Sequence, residues 1–455
     1  MARIRFGTDG VRGVANVELT TDLVLGLGRA IGRTMTATTF VVGRDTRRSG
    51  PMLQAALSAG LASEGADVVD VGVLPTPALA WLSAMRGVPA VVISASHNPF
   101  TDNGIKVFAA GGVKLSAEEE SAIEDELERV LDPSARGPRT LEGHSVGTLA
   151  AEPGIEDSYV DHLGSLVEGR RLDGMRLVVD SANGAASGLA ARVYERLGAE
   201  VVAIGCDPDG TNINAGCGST STGTLATAVV EHGAHLGLAL DGDADRLLAV
   251  DHGGRVVNGD ELLALFALDL AERGQLAGNT VVVTVMSNLG FRLAMEERGI
   301  VVEETPVGDR HVLAALDKHG FALGGEQSGH IVFRRLATTG DGLLTGLVLA
   351  DLVSRKGKPL AELLDGLVVR VPQVLINVPV PNTELLDTAE AVWSAVAEEE
   401  ERLGDGGRVV LRPSGTEPLV RVMVEAVGDG VAEEIATRLG NLVEFELQAA
   451  AATHG

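Results

Sequence analysis

The sequence predicts an α/β protein: three similar units with mixed sheets, then a smaller α+β unit. Three observations carry that prediction. Short apolar strand candidates alternate with amphipathic stretches of helix length. The 455 residues exceed what one hydrophobic core organises. The alternation then stops near Arg370.

In the first unit, expected over 1–153, strands fall at Phe40 to Val42, Val68 to Val71 and Val91 to Ile93, with a helix over Met52 to Glu64. The run Gly26 to Gly32 lies inside a helical pattern and does not follow a strand, so its glycines read as helix packing sites and not as a dinucleotide fingerprint. The polar stretch Asp132 to Arg139 reads as a surface excursion. The second unit, 154–253, carries strands Leu177 to Val179, Val201 to Ile204 and Leu236 to Leu240 around a helix Leu189 to Leu197, and closes at the turn Asp251 to Gly254. The third, 254–369, opens on a helix Glu261 to Glu272 and a strand Val281 to Val285. Over 370–455 the order becomes βαββα: strand Val374 to Val380, helix Thr383 to Arg402, strands Arg408 to Leu411 and Leu419 to Glu425, and a last helix expected to fray from Ala449.

A net charge of −26 and 3% aromatic residues oppose nucleic-acid and anionic-membrane partners, so an anionic substrate needs local arginines, backbone N–H groups or a cation. Cys206 and Cys217 form neither a CxxC pair nor a metal set. The N-terminus lacks an apolar h-region and no apolar run reaches a membrane span, which points to the cytoplasm.

Four loops carry the chemistry. Val91-Val92-Ile93 ends in Ser94-Ala95-Ser96-His97-Asn98-Pro99, where Asn98-Pro99 turns the chain and exposes Ser96, with His97 beside it and Lys106 further on. The residues alone leave open whether Ser96 is a nucleophile or a serine capping a turn. Asp241-Gly242-Asp243-Ala244-Asp245-Arg246 sets alternate carboxylates in a tight loop suited to one hard divalent cation, Mg²⁺ before others. It is not an EF-hand, because Arg246 and His252 stand where that loop needs Gly and Glu. Glu326-Gln327-Ser328-Gly329-His330 offers paired donors and acceptors for a polyhydroxylated ligand, and equally suits a polar hairpin. Arg412-Pro413-Ser414-Gly415-Thr416-Glu417-Pro418, with Arg421 beyond it, can aim N–H groups, hydroxyls and guanidinium at a phosphate without being a Walker loop. Two further basic, glycine-containing stretches, Gly7 to Gly13 with Arg12 and Gly43 to Gly50 with Arg47 and Arg48, suit either an anion or solvent.

Taken in this order, the four loops resemble the α-D-phosphohexomutase superfamily over nearly the whole chain. The opening Phe6 to Gly13, the stretch Thr305 to Arg310 and above all Gln327 resemble its bacterial phosphoglucosamine mutase branch, whereas methionine at that position would suggest the phosphomannomutase/phosphoglucomutase branch. Gly216 departs from the larger polar residue usual in the family.

The resemblance implies domains around a central cleft and the interconversion of glucosamine 6-phosphate and glucosamine 1-phosphate, feeding UDP-N-acetylglucosamine and cell-wall synthesis. Ser96 would carry a phosphoryl group, and a hexose 1,6-bisphosphate would be activator and intermediate. One Mg²⁺ would be held by Asp241, Asp243, Asp245 and a Ser96 phosphoryl oxygen. Arg12, His97 and Arg246 would steady the transferring phosphate, and Lys106 or His330 would act as acid and base. Glu326, Gln327 and Ser328 would read the sugar, and Arg412, Ser414, Gly415, Thr416 and Arg421 would take its other phosphate. The partner is a small sugar phosphate, with a homodimer left open. A mannose or glucose phosphate mutase, a Mg²⁺-dependent sugar phosphatase and a non-enzymatic sugar-phosphate sensor are the alternatives.

Overall fold

The computed structural model describes residues 6–7, 10–132, 134, 141–167, 169–414 and 418–454. The chain divides into two compact units, Met1–Val282 with Gly308–Asp365, and Val283–Val307 with Gly366–Gly455.

The first unit opens with β1 (Val11–Val14), α1 (Thr21–Thr34), β2 (Thr39–Arg44), α2 (Gly50–Ser63), β3 (Asp67–Val73), α3 (Thr76–Arg86), β4 (Ala90–Ile93), β5 (Asp102–Ala109), β6 (Val113–Lys114), α4 (Ala117–Leu131) and β7 (Leu149–Ala151). Its strands form one sheet in the order β1-β5-β4-β2-β3-β7, with β6 on β5. β4, β2, β3 and β7 are parallel, and the β4–β5 hairpin is antiparallel. All four residues of β4 are fully buried, which is why the strand reads as an unbroken apolar run. The glycines of α1 act as expected: a Cβ on Gly28 would lie 2.3 Å from the Leu57 carbonyl oxygen of α2, and one on Gly60 2.3 Å from that of Leu25. β1 and β5 were not expected as strands, because glycine, aspartate and asparagine dilute their apolar content.

Next come α5 (Ile155–Ser165), β8 (Arg176–Asp180), α6 (Ala190–Glu195), β9 (Glu200–Ile204), α7 (Gly223–Glu231), β10 (Leu236–Leu240), β11 (Leu247–Asp251) and β12 (Val256–Val257). They make a second sheet, β12-β11-β10-β8-β9. Its β9-β8-β10-β11 portion repeats β3-β2-β4-β5: two parallel pairings, then an antiparallel hairpin. α8 (Gly259–Glu272) and β13 (Thr280–Thr284) follow, then α9 (Leu289–Glu297) and β14 (Val301–Thr305) of the second unit, and then α10 (Asp309–His319), β15 (Leu323–Gly325), β16 (Ile331–Phe333), α11 (Gly342–Lys356) and α12 (Leu360–Leu363) of the first. β15 and β16 again form an antiparallel hairpin. The Ser96, Asp241–Arg246 and Glu326–His330 loops therefore each join the two strands of an antiparallel hairpin, β4–β5, β10–β11 and β15–β16.

The second unit ends in β17 (Gln373–Pro379), α13 (Glu390–Leu403), β18 (Gly407–Pro413), β19 (Leu419–Ala426) and α14 (Val431–His454), with an antiparallel sheet β17-β19-β18. A 3-10 turn, Thr383–Thr388, takes the first part of the helix expected from Thr383. Within this unit the fully buried Glu425 accepts from Asn288 Nδ2 (2.8 Å), Leu289 N (3.0 Å) and Arg408 Nε (2.6 Å), tying the start of α9 to β19. α14 is helical past Ala449. It continues to His454, because Leu439, Val443 and Leu447 keep one face in the core and alanine favours the helix beyond them. Most of the excursion at 132–139 lies outside the described residues. No helix among the described residues is long and apolar enough to cross a membrane.

Candidate active site

The β4–β5 turn delivers Ser96 with a left-handed backbone, φ 51°. For a residue with a side chain that conformation costs about 1–3 kcal/mol and persists only where the surroundings enforce it. Here they do: Ser96 N–H donates to Ser94 Oγ (3.0 Å), and Ser96 O accepts from Arg47 (3.1 Å) and Asn214 Nδ2 (2.9 Å). The expectation of an exposed Ser96 is corrected. The residue is only 1% exposed, because Gly242 of the neighbouring hairpin lacks a side chain and a Cβ there would lie 2.5 Å from Ser96 O.

The Ser96 hydroxyl donates to Asp241 Oδ2 at 2.5 Å and sits 3.2 Å from His97 Nδ1. Asp241, Asp243 and Asp245 are all buried and bring carboxylate oxygens within 4.8 Å of one another. Lys106, projecting from β5 and 5% exposed, donates to Asp243 Oδ2 (2.7 Å) and Asp245 Oδ2 (3.2 Å). Thr76 Oγ1, at the first residue of α3, donates to Asp243 Oδ2 at 2.6 Å, and Thr76 N–H donates to Asp243 O. Asp243 Oδ1 and Asp245 Oδ1 remain buried without a hydrogen-bond partner. Orphaned acceptors of this kind cost about 1–3 kcal/mol each unless something positive meets them. Burial, then Asp245 and Asp243, push the Asp241 carboxyl well above its ordinary value. Burial opposes charge on Asp245 as well, but Lys106, then His330 and Arg246, hold it well below. Lys106 hydrogen-bonds two of the three carboxylates, and Arg246 and His330 reach only to 3.7 Å from Asp245 Oδ1, so the donor set and the two oxygens without a hydrogen-bond partner fit a hard divalent cation.

Around this centre the hairpins lock together. Leu247 N–H donates to Gly329 O and Gly259 N–H to Gln327 O, both at 3.0 Å. Gly329 has φ 92°, and a Cβ on it would meet Leu247 O at 2.2 Å. Glu326 Oε1 accepts from Gly308 N–H (3.3 Å) and its Oε2 from Ser328 Oγ (3.2 Å), while Gln327 is half-buried on the same loop. His330, 3% exposed, has Nδ1 3.7 Å from Asp245 Oδ1 and Nε2 3.6 Å from Asp309 Oδ2. Burial opposes its charge, yet Asp245, Asp309 and Glu326 raise it to about 9. Gly340 N–H, aimed at Nε2 from 3.3 Å, instead requires the neutral ring. Arg246 Nε lies 3.7 Å from Asp245 Oδ1, and Arg12 Nη1 reaches Asn98 Oδ1 at 3.4 Å. Burial, then Arg246 and Arg12, push His97 down to about 4, so it is neutral at pH 7.

The first unit thus gathers Arg12, Ser96, His97, Lys106, Asp241, Asp243, Asp245, Arg246, Glu326, Gln327, Ser328 and His330. Arg412, Ser414 and Arg421 belong to the second. There Arg412 and Arg421 are direct cross-strand partners. Gly415, Thr416 and Glu417 lie outside the described residues, as do Thr8 and Asp9. A cavity of about 560 Å³ lies at the far end of the parallel strands, among Thr34 to Thr39 and Pro89, with Glu119 its one charged lining residue. Size does not mark the chemistry here. Thr76, Asn214 and the Asp45–Arg47 pair escaped the sequence reading. The sequence leaves Arg47 open between anion binding and solvent; in the fold it is 1% exposed. The hydroxyl at the first residue of a proline-primed helix was the available signal for Thr76.

Comparison with known proteins agrees with this geometry. Profiles of the phosphoglucomutase/phosphomannomutase family match in order: alpha/beta/alpha domain I over residues 3–133, domain II over 157–254, domain III over 258–371 and the C-terminal domain over 375–441. A protein from Frankia alni named phosphoglucosamine mutase is 54% identical over 98% of this chain and 99% of its own. One of the same name from Streptomyces griseus is 53% identical over 97% and 99%. A crystal structure of a phosphoglucomutase/phosphomannomutase family protein from Burkholderia thailandensis superposes with a TM-score of 0.79 at 27% identity, covering 96% of this chain and 97% of that one. With matching domains along the chain and full-length relatives above half identity, the chain belongs to the phosphoglucomutase/phosphomannomutase family of α-D-phosphohexomutases.

Proposed function

We propose that this chain is a phosphoglucosamine mutase, a cytoplasmic isomerase that interconverts glucosamine 6-phosphate and glucosamine 1-phosphate on the way to UDP-N-acetylglucosamine. The observation that carries the reading is the Ser96 hydroxyl held 2.5 Å from Asp241 within a buried carboxylate triad that keeps two oxygens open. The full-length relatives carrying that name, and Gln327 in the Glu326–His330 loop, support the choice of amino sugar.

Ser96 Oγ carries a phosphoryl group, first acquired from a hexose 1,6-bisphosphate. A hydroxyl oxygen of the sugar monophosphate attacks that phosphorus: the new P–O(sugar) bond forms, the P–Oγ bond breaks, and of Lys106 and His330 the one in its neutral form takes the hydroxyl proton while the one in its protonated form gives a proton to Ser96 Oγ. The resulting bisphosphate reorients and returns its other phosphoryl group to Ser96 by the reverse step, so phosphate is conserved. Arg12 and Arg246 hold the transferring oxygens, and neutral His97 orients them without adding charge. Glu326, Gln327 and Ser328 take the sugar's polar groups, and the Arg412–Arg421 pair with Ser414 takes the second phosphate. Asp241, Asp243, Asp245 and a phosphoserine oxygen would hold Mg²⁺, which when bound neutralises the charge spread over the phosphoryl group.

Turnover on the 6-phosphates of glucosamine, glucose and mannose tests the assignment. The highest kcat/KM is expected for glucosamine 6-phosphate, with no steady release of inorganic phosphate. Faster use of glucose or mannose phosphate, or steady phosphate release, overturns it.

A further inference from the structure

The peptide of Ser96 is enclosed in a hydrogen-bonded circuit that the phosphoryl-transfer chemistry does not by itself require. Ser96 N–H donates to Ser94 Oγ, Ser94 Oγ donates to Asp45 Oδ2 at 2.6 Å, Asp45 pairs with Arg47, and Arg47 Nη2 returns to Ser96 O at 3.1 Å. The side chains of Asp45 and Arg47 are both fully buried. A second clamp arrives from the loop following β9. Asn214 Nδ2 donates to Ser96 O (2.9 Å) and to Asn98 O (3.0 Å), and Arg47 Nη2 donates to the same Asn98 O at 2.6 Å. Two carbonyls flanking one turn thus each receive the same two donors. Asn214 is itself left-handed at φ 57° and anchored through its N–H to Ala182 O at 2.9 Å.

We infer that Arg47 and Asn214 are positioning residues that hold the Ser96–Asn98 turn in its left-handed form, so that Ser96 Oγ stays aimed at the carboxylate triad through both halves of the reaction. An ordinary structural ion pair would need only Asp45 and Arg47. One guanidinium nitrogen, Nη2, spanning two carbonyls, and the duplication of both contacts by an amide from a separate loop, serve the turn's geometry instead. This inference rests on Ser96 being the phosphoryl carrier, as proposed above.

Asn214 is the variant of choice, because its removal leaves the Asp45–Arg47 charges paired. In full-length Asn214→Ala, kcat is expected to fall about tenfold with KM for the sugar phosphate within about twofold, since a loosened near-attack geometry slows transfer and leaves sugar contacts alone. Asn214→Asp, which replaces a donor by acceptors facing two carbonyls, should lose about a further tenfold. Melting temperature is measured alongside for both. The direct readout is the rate at which ³²P-labelled Ser96, loaded from glucose 1,6-bisphosphate, passes its label to glucosamine 6-phosphate in a single turnover. That rate should fall in step with kcat. An unchanged transfer rate in both variants, or a rise in KM without loss of kcat, overturns the positioning role. Absence of label on Ser96 of the wild-type protein instead defeats the phosphoryl-carrier reading, so the two failures are distinguishable.

Discussion

Two buried acidic clusters sit in the first unit and are treated in opposite ways. In one, Asp269 of α8 and Asp351 of α11 are interleaved with arginines: Asp269 pairs with Arg273 (3.1 Å) and Arg355 (2.8 Å), Asp351 with Arg355 (2.8 Å) and Arg170 (2.6 Å). Burial would raise Asp269, but Arg355 and then Arg273 hold it below its ordinary value. In the other, Lys106 hydrogen-bonds Asp243 and Asp245, Arg246 and His330 stand 3.7 Å from Asp245 Oδ1, and two carboxylate oxygens have no hydrogen-bond partner among the described residues. A fold that needs only stability satisfies its buried carboxylates from within. Leaving some open pays off only where a ligand from outside completes the set. Asp341 is a third solution: burial raises it to about 6, so a proton can do what an arginine or a cation does elsewhere.

The largest break in this contrast should come from the hydroxyl that faces the open cluster. Ser96→Ala is expected to lower turnover by at least about a thousandfold while retaining sugar-phosphate binding by calorimetry, because it removes the proposed phosphoryl acceptor and not the proposed sugar contacts. Near-normal turnover would refute the phosphoserine mechanism. Mg²⁺ is expected to raise the melting temperature of the parent protein and EDTA to reverse the rise; Asp243→Asn should abolish that rise and cost about a hundredfold in kcat. An undiminished Mg²⁺ shift in that variant would remove the Asp243 carboxylate from the cation set.

The arginine-paired cluster should answer with the reverse phenotype. Arg355→Met is expected to destabilise the fold by about 2 kcal/mol in urea unfolding, leaving kcat and the Mg²⁺ shift unchanged, since two buried carboxylates each keep one partner. The smallest effect concerns Asp341. Its folded pKa, about 6, lies above the unfolded value of 3.8. The folded state therefore binds the proton more tightly, and that stabilisation is complete below pH 3.8 and lost as the pH rises through 6. Asp341→Asn keeps the cap on Leu344 N–H and the Tyr159 contact without the charge. It should match the parent near pH 4 and exceed it above pH 6 by on the order of 1–2 kcal/mol in a pH series of unfolding curves. Parallel stability curves for the two proteins would remove Asp341 from the contrast.

Much of this was legible before any coordinates. Buried parallel strands such as β4 and β10 announce themselves as apolar runs, and alternating aspartates in a glycine-containing turn between strands name a cation site by their chemistry. β1 and β5 escaped because their glycine, aspartate and asparagine look like turn residues, although tertiary pairing makes them strands. Arg47 escaped for a different reason. Nothing local separates a buried arginine from Arg48 beside it, since its partners Ser96 O and Asn98 O lie about fifty residues away. The Asn214 contacts span more than twice that distance, and only the completed fold brings them together.

The complete burial of β4 has a mechanical consequence. A strand closed on both faces, hydrogen-bonded to β2 on one side and β5 on the other, has no room to shift or unzip without opening the first sheet. Its amides should be among the last to exchange with solvent, and the serine launched from its end inherits that stillness. A stationary reacting oxygen cannot visit two ends of one substrate. In the proposed reaction, which must serve both the first and the sixth carbon of a hexose, the travelling partner would then be the sugar.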